Sequence, residues 1–203
     1  MTEIVPGKQN IEIVFSSITY HIDFYQRDYK WTKENVASLL EDIFHKFQQY
    51  YKPSIDASDE TISDHYGWYY MNTFVTNRVG GKVFVVDGQQ RLTTLTLILI
   101  NLYHLAGKYE LPSKAKWIEK CILGHTSSGV EFWIGQDERK EAFENLYNNN
   151  SEKLGAVNQD GLGIKNIYNN YLYIQKYLEK ALETSHKFET FALFLMKRVV
   201  MVN

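Results

Sequence analysis

The chain has 203 residues, a formal net charge of −2 and an apolar fraction of 44%. That is enough chain for one sizeable core with a small subdomain, and the near-neutral charge excludes a protein that coats nucleic acid by bulk electrostatics while leaving room for a local basic site. Cys121 is the only cysteine, which excludes an intrachain disulfide and a cysteine zinc cluster and fits a reducing cytoplasm; no basic-then-apolar leader opens the sequence, and the stretch 95–100 is far too short to span a bilayer.

An apolar run at Ile11–Phe15 precedes Ile18–Ile22, which reads as a short strand. Phe24–Trp31 follows as a polar-aromatic loop. Thr32 is a good helix N-cap, and Trp31 and Val36 hold the two positions of a hydrophobic staple. Val36, Leu39, Leu40, Ile43, Phe44 and Phe47 then form one apolar stripe, so the spacing predicts a helix from Thr32. Lys52–Tyr66 is polar, carries Pro53, and reads as a surface loop. Trp68–Thr76 reads as a strand, and Gly80-Gly81 as a tight turn into a buried strand at Lys82–Val86. Leu92–Ala106 is long and apolar enough to be a buried helix.

Pro112 marks the start of a further helix over 113–123, and another is expected over 138–147. Asn148–Gly163, rich in Asn and Gly, reads as a loop. Ile164, Ile167, Tyr168, Tyr171, Ile174, Leu178 and Leu182 mark a long amphipathic helix. Phe188–Met196 adds a helix, and Val199–Val202 a final strand. A domain that stops on an apolar strand is expected to be the N-terminal part of a longer protein. The expected organisation is a single domain over 1–203, with an α/β part at 1–106 and a mainly helical part at 107–203.

The densest chemistry lies at Asp87-Gly88-Gln89-Gln90-Arg91-Leu92-Thr93-Thr94, a polar cluster on a strand-to-helix turn. Free N–H groups and the positive dipole end of a helix point into such a turn, which suits a phosphate. Arg91 offers a planar fork for phosphate oxygens, and Asp87 a ligand for Mg²⁺ or an orienting group for water. The residues alone also allow a plain capped helix with Arg91 in a structural ion pair. This is not a P-loop, because no glycine-rich run ends in Lys-Ser or Lys-Thr. A second cluster, Tyr25-Gln26-Arg27-Asp28-Tyr29-Lys30-Trp31, either stacks a base and contacts phosphates or folds its rings onto the core. The six histidines are scattered, His104 falls on the buried helix as a core residue, and zinc is not expected.

The two clusters together resemble a known family. Phe24–Trp31 resembles the motif YQR-x-Y-x-W, and Val86–Leu95 resembles the motif DGQQRLTTL, both of the N-terminal domain family of GmrSD-type modification-dependent restriction endonucleases. Motif order and separation agree, as does the later Asn169-Asn170-Tyr171 helix followed by 188–202, so the resemblance covers most of the chain. Asp23 stands where the family usually has a proline after the Ile22 position. Full-length members usually continue further, often into an HNH-type nuclease domain, and no such His-Asn-His pattern occurs here.

The resemblance implies an α/β (α+β) fold of ParB/sulfiredoxin type, a small mixed sheet with a helical half. It implies nucleotide binding and Mg²⁺-dependent hydrolysis of a nucleoside triphosphate, in a setting of DNA restriction and phage defence. Carried over by position, Tyr25, Gln26, Arg27, Gly88, Arg91, Thr93 and Thr94 would bind nucleotide or phosphate. Asp87, Gln89, Gln90 and Arg91 would be catalytic, with Asp87 on the metal. The expected partners are nucleotide, DNA in the full-length protein, and a fused or separate nuclease domain, with no membrane. Two other readings stay open: a nucleotide-sensing switch without turnover, and a domain that binds or cleaves DNA directly.

Overall fold

Helices and strands fall where apolar periodicity and turn residues direct them, with a few elements decided only by distant contacts. The description below is of a computed structural model and covers residues 7–16, 18–22, 28–126, 129–135, 137–149 and 161–203. It is a mixed α+β architecture with small mixed sheets. In chain order the elements are β1 (Lys8–Asn10), α1 (Ile11–Val14), β2 (Tyr20–His21), α2 (Lys33–Gln48), α3 (Asp59–His65), β3 (Tyr69–Thr73), β4 (Val75–Val79), β5 (Lys82–Asp87), α4 (Gln89–Lys108), α5 (Pro112–Glu119), β6 (Leu123–Thr126), β7 (Gly129–Phe132), β8 (Ile134–Gly135), α6 (Asp137–Tyr147), α7 (Leu162–Ala181), α8 (Ser185–Arg198) and β9 (Val199–Val202).

One sheet has the order β1-β9-β3, with β9 antiparallel to β1 and parallel to β3. A second has the order β4-β5-β2-β8, with β4 antiparallel to β5 and the other pairings parallel. β6 and β7 form a separate hairpin. Helix α4 is the axis of the core: from Leu92 to Leu102 every side chain is buried. Its polar residues survive there because each bonds a nearby carbonyl, Thr96 Oγ1 to Leu92 at 3.0 Å and Asn101 Nδ2 to Leu97 at 2.9 Å. On another side, Phe44 of α2 stacks on Phe191 of α8 with centroids 4.2 Å apart, and Phe47, Tyr66 and Phe194 extend that aromatic cluster.

Four elements differ from the reading of the sequence. Lys52–Tyr66 contains helix α3, started by Ser58, whose hydroxyl accepts from Thr61 N. The single strand expected over 68–76 is two strands in different sheets, β3 and β4, broken at the buried Phe74, whose N–H bonds Val202 O at 2.9 Å. The helix expected over 113–123 stops at Glu119, and the chain turns into the β6–β7 hairpin. Helix α4 begins three residues before Leu92, so the Gln-Gln-Arg cluster is its first turn rather than a loop ahead of it. Most of the loop expected at 148–163 lies outside the described residues.

Candidate functional site

The turn between β5 and α4 is built around Gly88. Its φ is +93°, a conformation that L side chains rarely adopt. A Cβ there would also sit 2.6 Å from Phe74 Cβ, so glycine is required on two counts. With no side chain at the cap position, nothing of Gly88's own covers the first-turn N–H groups of α4.

Arg91, one turn in, reaches across to β3. Its Nη2 donates to Thr73 O at 2.8 Å and lies 3.8 Å from the mostly exposed Asp87 carboxylate. Its Nε is buried and carries no hydrogen bond. Thr73 and Phe74 are where the chain crosses from one sheet to the other, so Gly88 and Arg91 together grip that crossing. Asp87 closes β5, opposite Val75 of β4, with its carboxylate in solvent.

The two glutamines have different surroundings. Gln89 is buried, and its Nε2 donates back to Val85 O at 3.4 Å. Gln90 instead spans to the second cluster. Its Oε1 accepts from Lys30 N at 2.8 Å and Trp31 N at 3.2 Å, and its Nε2 donates to Asp28 O at 3.0 Å. One side-chain amide thus stands in for a neighbouring strand. The far side of the same segment is held by α7: Asn166 Nδ2 donates to Tyr29 O at 3.1 Å, and Asn170 Nδ2 donates to Trp31 O at 2.8 Å. Gly163 lets α7 come this near, since a Cβ there would be 3.1 Å from Asp28 Cβ.

Thr93 and Thr94 face inward and are fully buried. Thr93 Oγ1 accepts from Arg139 Nη1 at 2.8 Å. Thr94 Oγ1 donates to Gln90 O at 2.8 Å and so must accept from Tyr29 OH, also at 2.8 Å. Tyr29 OH in turn accepts from Asn170 Nδ2 at 3.2 Å. The result is a directed chain, Asn170 to Tyr29 to Thr94 to the α4 backbone, which knits the two sequence clusters into one body. Burial raises the Tyr29 pKa despite these bonds, which keeps the phenol neutral. Of the residues singled out in the sequence, Asp87 and Arg91 therefore reach the surface side of the turn, while Gln89, Thr93 and Thr94 lie inside it. Tyr25, Gln26 and Arg27 lie outside the described residues; Asp28, next in the chain, is fixed against Gln90.

Arg91 also lines one end of an open groove of about 530 Å³ between α2 and β3. Its walls carry Trp31, Asn35, Leu39, Asp42, Tyr69 and Tyr70. β3 is irregular here, with a register shift between Tyr70 and Thr73 and Asn72 at φ +109°. The sequence reading did not single out this α2–β3 wall. Its only local signal is the spacing of Asn35, Ser38 and Asp42 on the polar side of an otherwise well-marked helix. Asn170 enters the sequence reading only as part of the Asn169-Asn170-Tyr171 helix, and Asn166 only as a polar position one turn earlier beside the apolar stripe.

Among the described residues, no group of three or more His, Cys, Asp or Glu side chains could hold a metal, and no helix is long and apolar enough to cross a membrane. Comparison with known proteins gives one match by family: the sequence model of the GmrSD restriction endonuclease, N-terminal domain, fits residues 11–202. No curated protein matches.

Proposed function

We propose a function from one premise: the chain belongs to the family of GmrSD restriction endonuclease N-terminal domains. That membership makes it a restriction-endonuclease-related domain, in the setting of phage defence and DNA. Our reading is that the turn after β5 and the groove beside it form a nucleotide site, with the phosphates at Arg91 and at the first turn of α4. The observation that carries it is Arg91: its guanidinium lies at the start of a 20-residue helix and lines the end of an aromatic groove. A phosphate oxygen is the partner such an arrangement favours.

Asp87 is a fitting protein ligand for Mg²⁺ only in part. It is one exposed carboxylate, and Mg²⁺ commonly takes one or two carboxylates together with water and phosphate oxygens. When bound, the ion would neutralise charge on the phosphates. Asp87 is also the solvent-facing group that can orient the attacking water in a hydrolytic reaction. Gln90 acts through the segment it holds, so we assign it as a positioning residue that sets Trp31 against the groove. Gln26 and Arg27, by their place in the motif, would add to the phosphate contacts.

The test is calorimetric titration of the chain with nucleoside triphosphates, with and without Mg²⁺, on wild type, Arg91→Ala and Arg91→Lys. We expect wild-type binding, loss of at least tenfold in Arg91→Ala, and partial retention in Arg91→Lys, which keeps the charge but not the fork. Arg91→Ala that stays folded and binds as tightly as wild type would overturn the site. A product assay on the bound complex then separates hydrolysis from a switch that binds without turnover.

A further inference from the structure

The groove continues well past Arg91, and its two ends carry opposite charge. Arg91 is tied to Thr73, at the end of β3. Tyr69, four residues back along the same irregular strand, pairs with Val199 where Thr73 pairs with Val202, three strand steps or about 10 Å away. At that end stands Asp42. Burial and then the Asp42 charge raise the Tyr69 phenol pKa, which puts the carboxylate within electrostatic reach of that ring. On α2 the lining residues Asn35, Leu39 and Asp42 follow one face over seven residues, or about 10 Å of helix. The groove thus has a cationic end, an anionic end and aromatic walls from Trp31, Tyr69 and Tyr70 between them.

Asp42 has no structural task that would account for its place. It is exposed, and no hydrogen bond or ion pair joins its carboxylate to another of the described residues. Trp31, by contrast, is held firmly, with its N–H on Gln90 and its carbonyl on Asn170. The backbone that carries this indole into the groove wall is therefore anchored on both sides, and flat rings are what a nucleobase packs against.

Resting on the nucleotide reading above, we infer that the Asp42 end of this groove is the base subsite and that Asp42 selects guanine. An ionised carboxylate only accepts hydrogen bonds. To bond both its oxygens to one base edge it needs two adjacent donors. Guanine supplies them in its ring N1–H and its exocyclic amino group. Adenine and cytosine offer one donor beside an acceptor, and uracil one donor between two acceptors. A mismatched base leaves a carboxylate oxygen facing an acceptor, which is repulsive as well as unsatisfied. Ligand length agrees in kind: phosphate at Arg91, base at Asp42, sugar along β3.

The same chemistry gives a test with a gain as well as a loss. Asp42→Asn turns one acceptor into a donor, and the base edge that matches is xanthine, with N1–H beside a carbonyl. The wild-type chain, Asp42→Asn and Arg91→Ala are titrated with GTP, ATP, CTP, UTP and xanthosine triphosphate in the presence of Mg²⁺. The expected result is that wild type prefers GTP by about tenfold or more over the others, the scale of a good bidentate pair. Asp42→Asn should lose that preference and bind xanthosine triphosphate better than GTP, while Arg91→Ala weakens all five alike. Equal wild-type binding of all the triphosphates, or a base preference that Asp42→Asn leaves unchanged, overturns the assignment of Asp42 while the phosphate site stands. A folded wild type that binds none of them overturns both.

Discussion

Gly88 shows how much a single position in the turn has to satisfy. Its left-handed φ of +93° and the 2.6 Å approach to Phe74 are separate constraints. A left-handed backbone at a non-glycine residue costs on the order of 1–3 kcal/mol, and forcing a methyl into a packed site costs a similar amount. Gly88→Ala should therefore lower unfolding stability by about 2–4 kcal/mol, read from the midpoint of a denaturant titration with the slope unchanged. A loss below about 0.5 kcal/mol would mean that Phe74 and the turn relax freely and that glycine is not required at this position. At this scale the sequence marks two polar clusters whose described residues touch through Gln90, and it does not separate the surroundings of one residue from those of the next. Asp-Gly-Gln-Gln-Arg reads as a row of polar groups all facing one ligand. In the fold Gln90 is occupied by the backbone of 28–31, and the two threonines are interior hydrogen-bonding groups. Only three-dimensional partners, sixty residues away in the chain for Gln90, separate those tasks.

Elements with a strong apolar period were legible from local sequence, because their burial pattern repeats within a few turns. Helix α2 is such a case, with its buried Val36, Leu39, Leu40, Ile43, Phe44 and Phe47. Helix α3 was not, since Ile62 is its only buried residue and its C-terminal carbonyls are capped from far away. Arg198 Nε donates to Ile62 O at 2.9 Å, and Nη2 donates to Ser63 O. Nothing within seven residues announces that. The neighbouring tie, Glu12, is likewise long-range. Its carboxylate accepts from Trp117 Nε1 at 2.7 Å and Lys197 Nζ at 2.6 Å, joining α1 to α5 and α8. Burial works upward on the Glu12 pKa, but the bonds from Lys197 and Trp117 and the lysine charge outweigh it and hold the carboxyl below its ordinary 4.5. For Lys197 burial works downward, and Glu12 and Asp59 outweigh it and hold the amine above 10.5. A carboxyl with a depressed folded pKa contributes stability above the unfolded value and loses it as pH falls through the folded one; a raised lysine does the reverse on the alkaline side. The stability gap between wild type and Glu12→Gln should therefore be widest and flat at neutral pH, shrink as pH falls below about 4.5, and shrink again above about 10.5. Thermal or urea unfolding across that range measures it. A gap independent of pH would show that the Glu12–Lys197 charges contribute nothing to the tie.

At the scale of the whole molecule, the topology follows from where β9 goes. β9 is the centre of the first sheet, with β1 from the start of the described chain on one side and β3 from its middle on the other. Gly7 and Asn203 exchange backbone hydrogen bonds at 3.0 and 3.2 Å, which closes the fold on itself. This is also why the run 68–76 misleads as a sequence: its first half pairs with β9 and its second with β5, and the choice of partner is made over a hundred residues away for β9. Val199, Val200 and Met201 are all buried. Removing them forfeits about 1.5–3 kcal/mol for each side chain, and strips β1 and β3 of their shared partner. Set against a net stability of about 5–15 kcal/mol for a domain, that is a large part of the whole. Deletion of residues 199–203 should therefore abolish cooperative unfolding and leave the chain open to proteolysis. Substituting Val200→Thr alone, nearly the same shape with one buried hydroxyl, should cost about 1–3 kcal/mol and preserve the fold. Because Thr73, held by Arg91, pairs with Val202 at the end of that strand, damage to β9 reaches the groove as well. Nucleotide affinity should fall in Val200→Thr by less than in Arg91→Ala. A deletion variant that still unfolds cooperatively and binds as wild type would show that β9 covers the core without organising it.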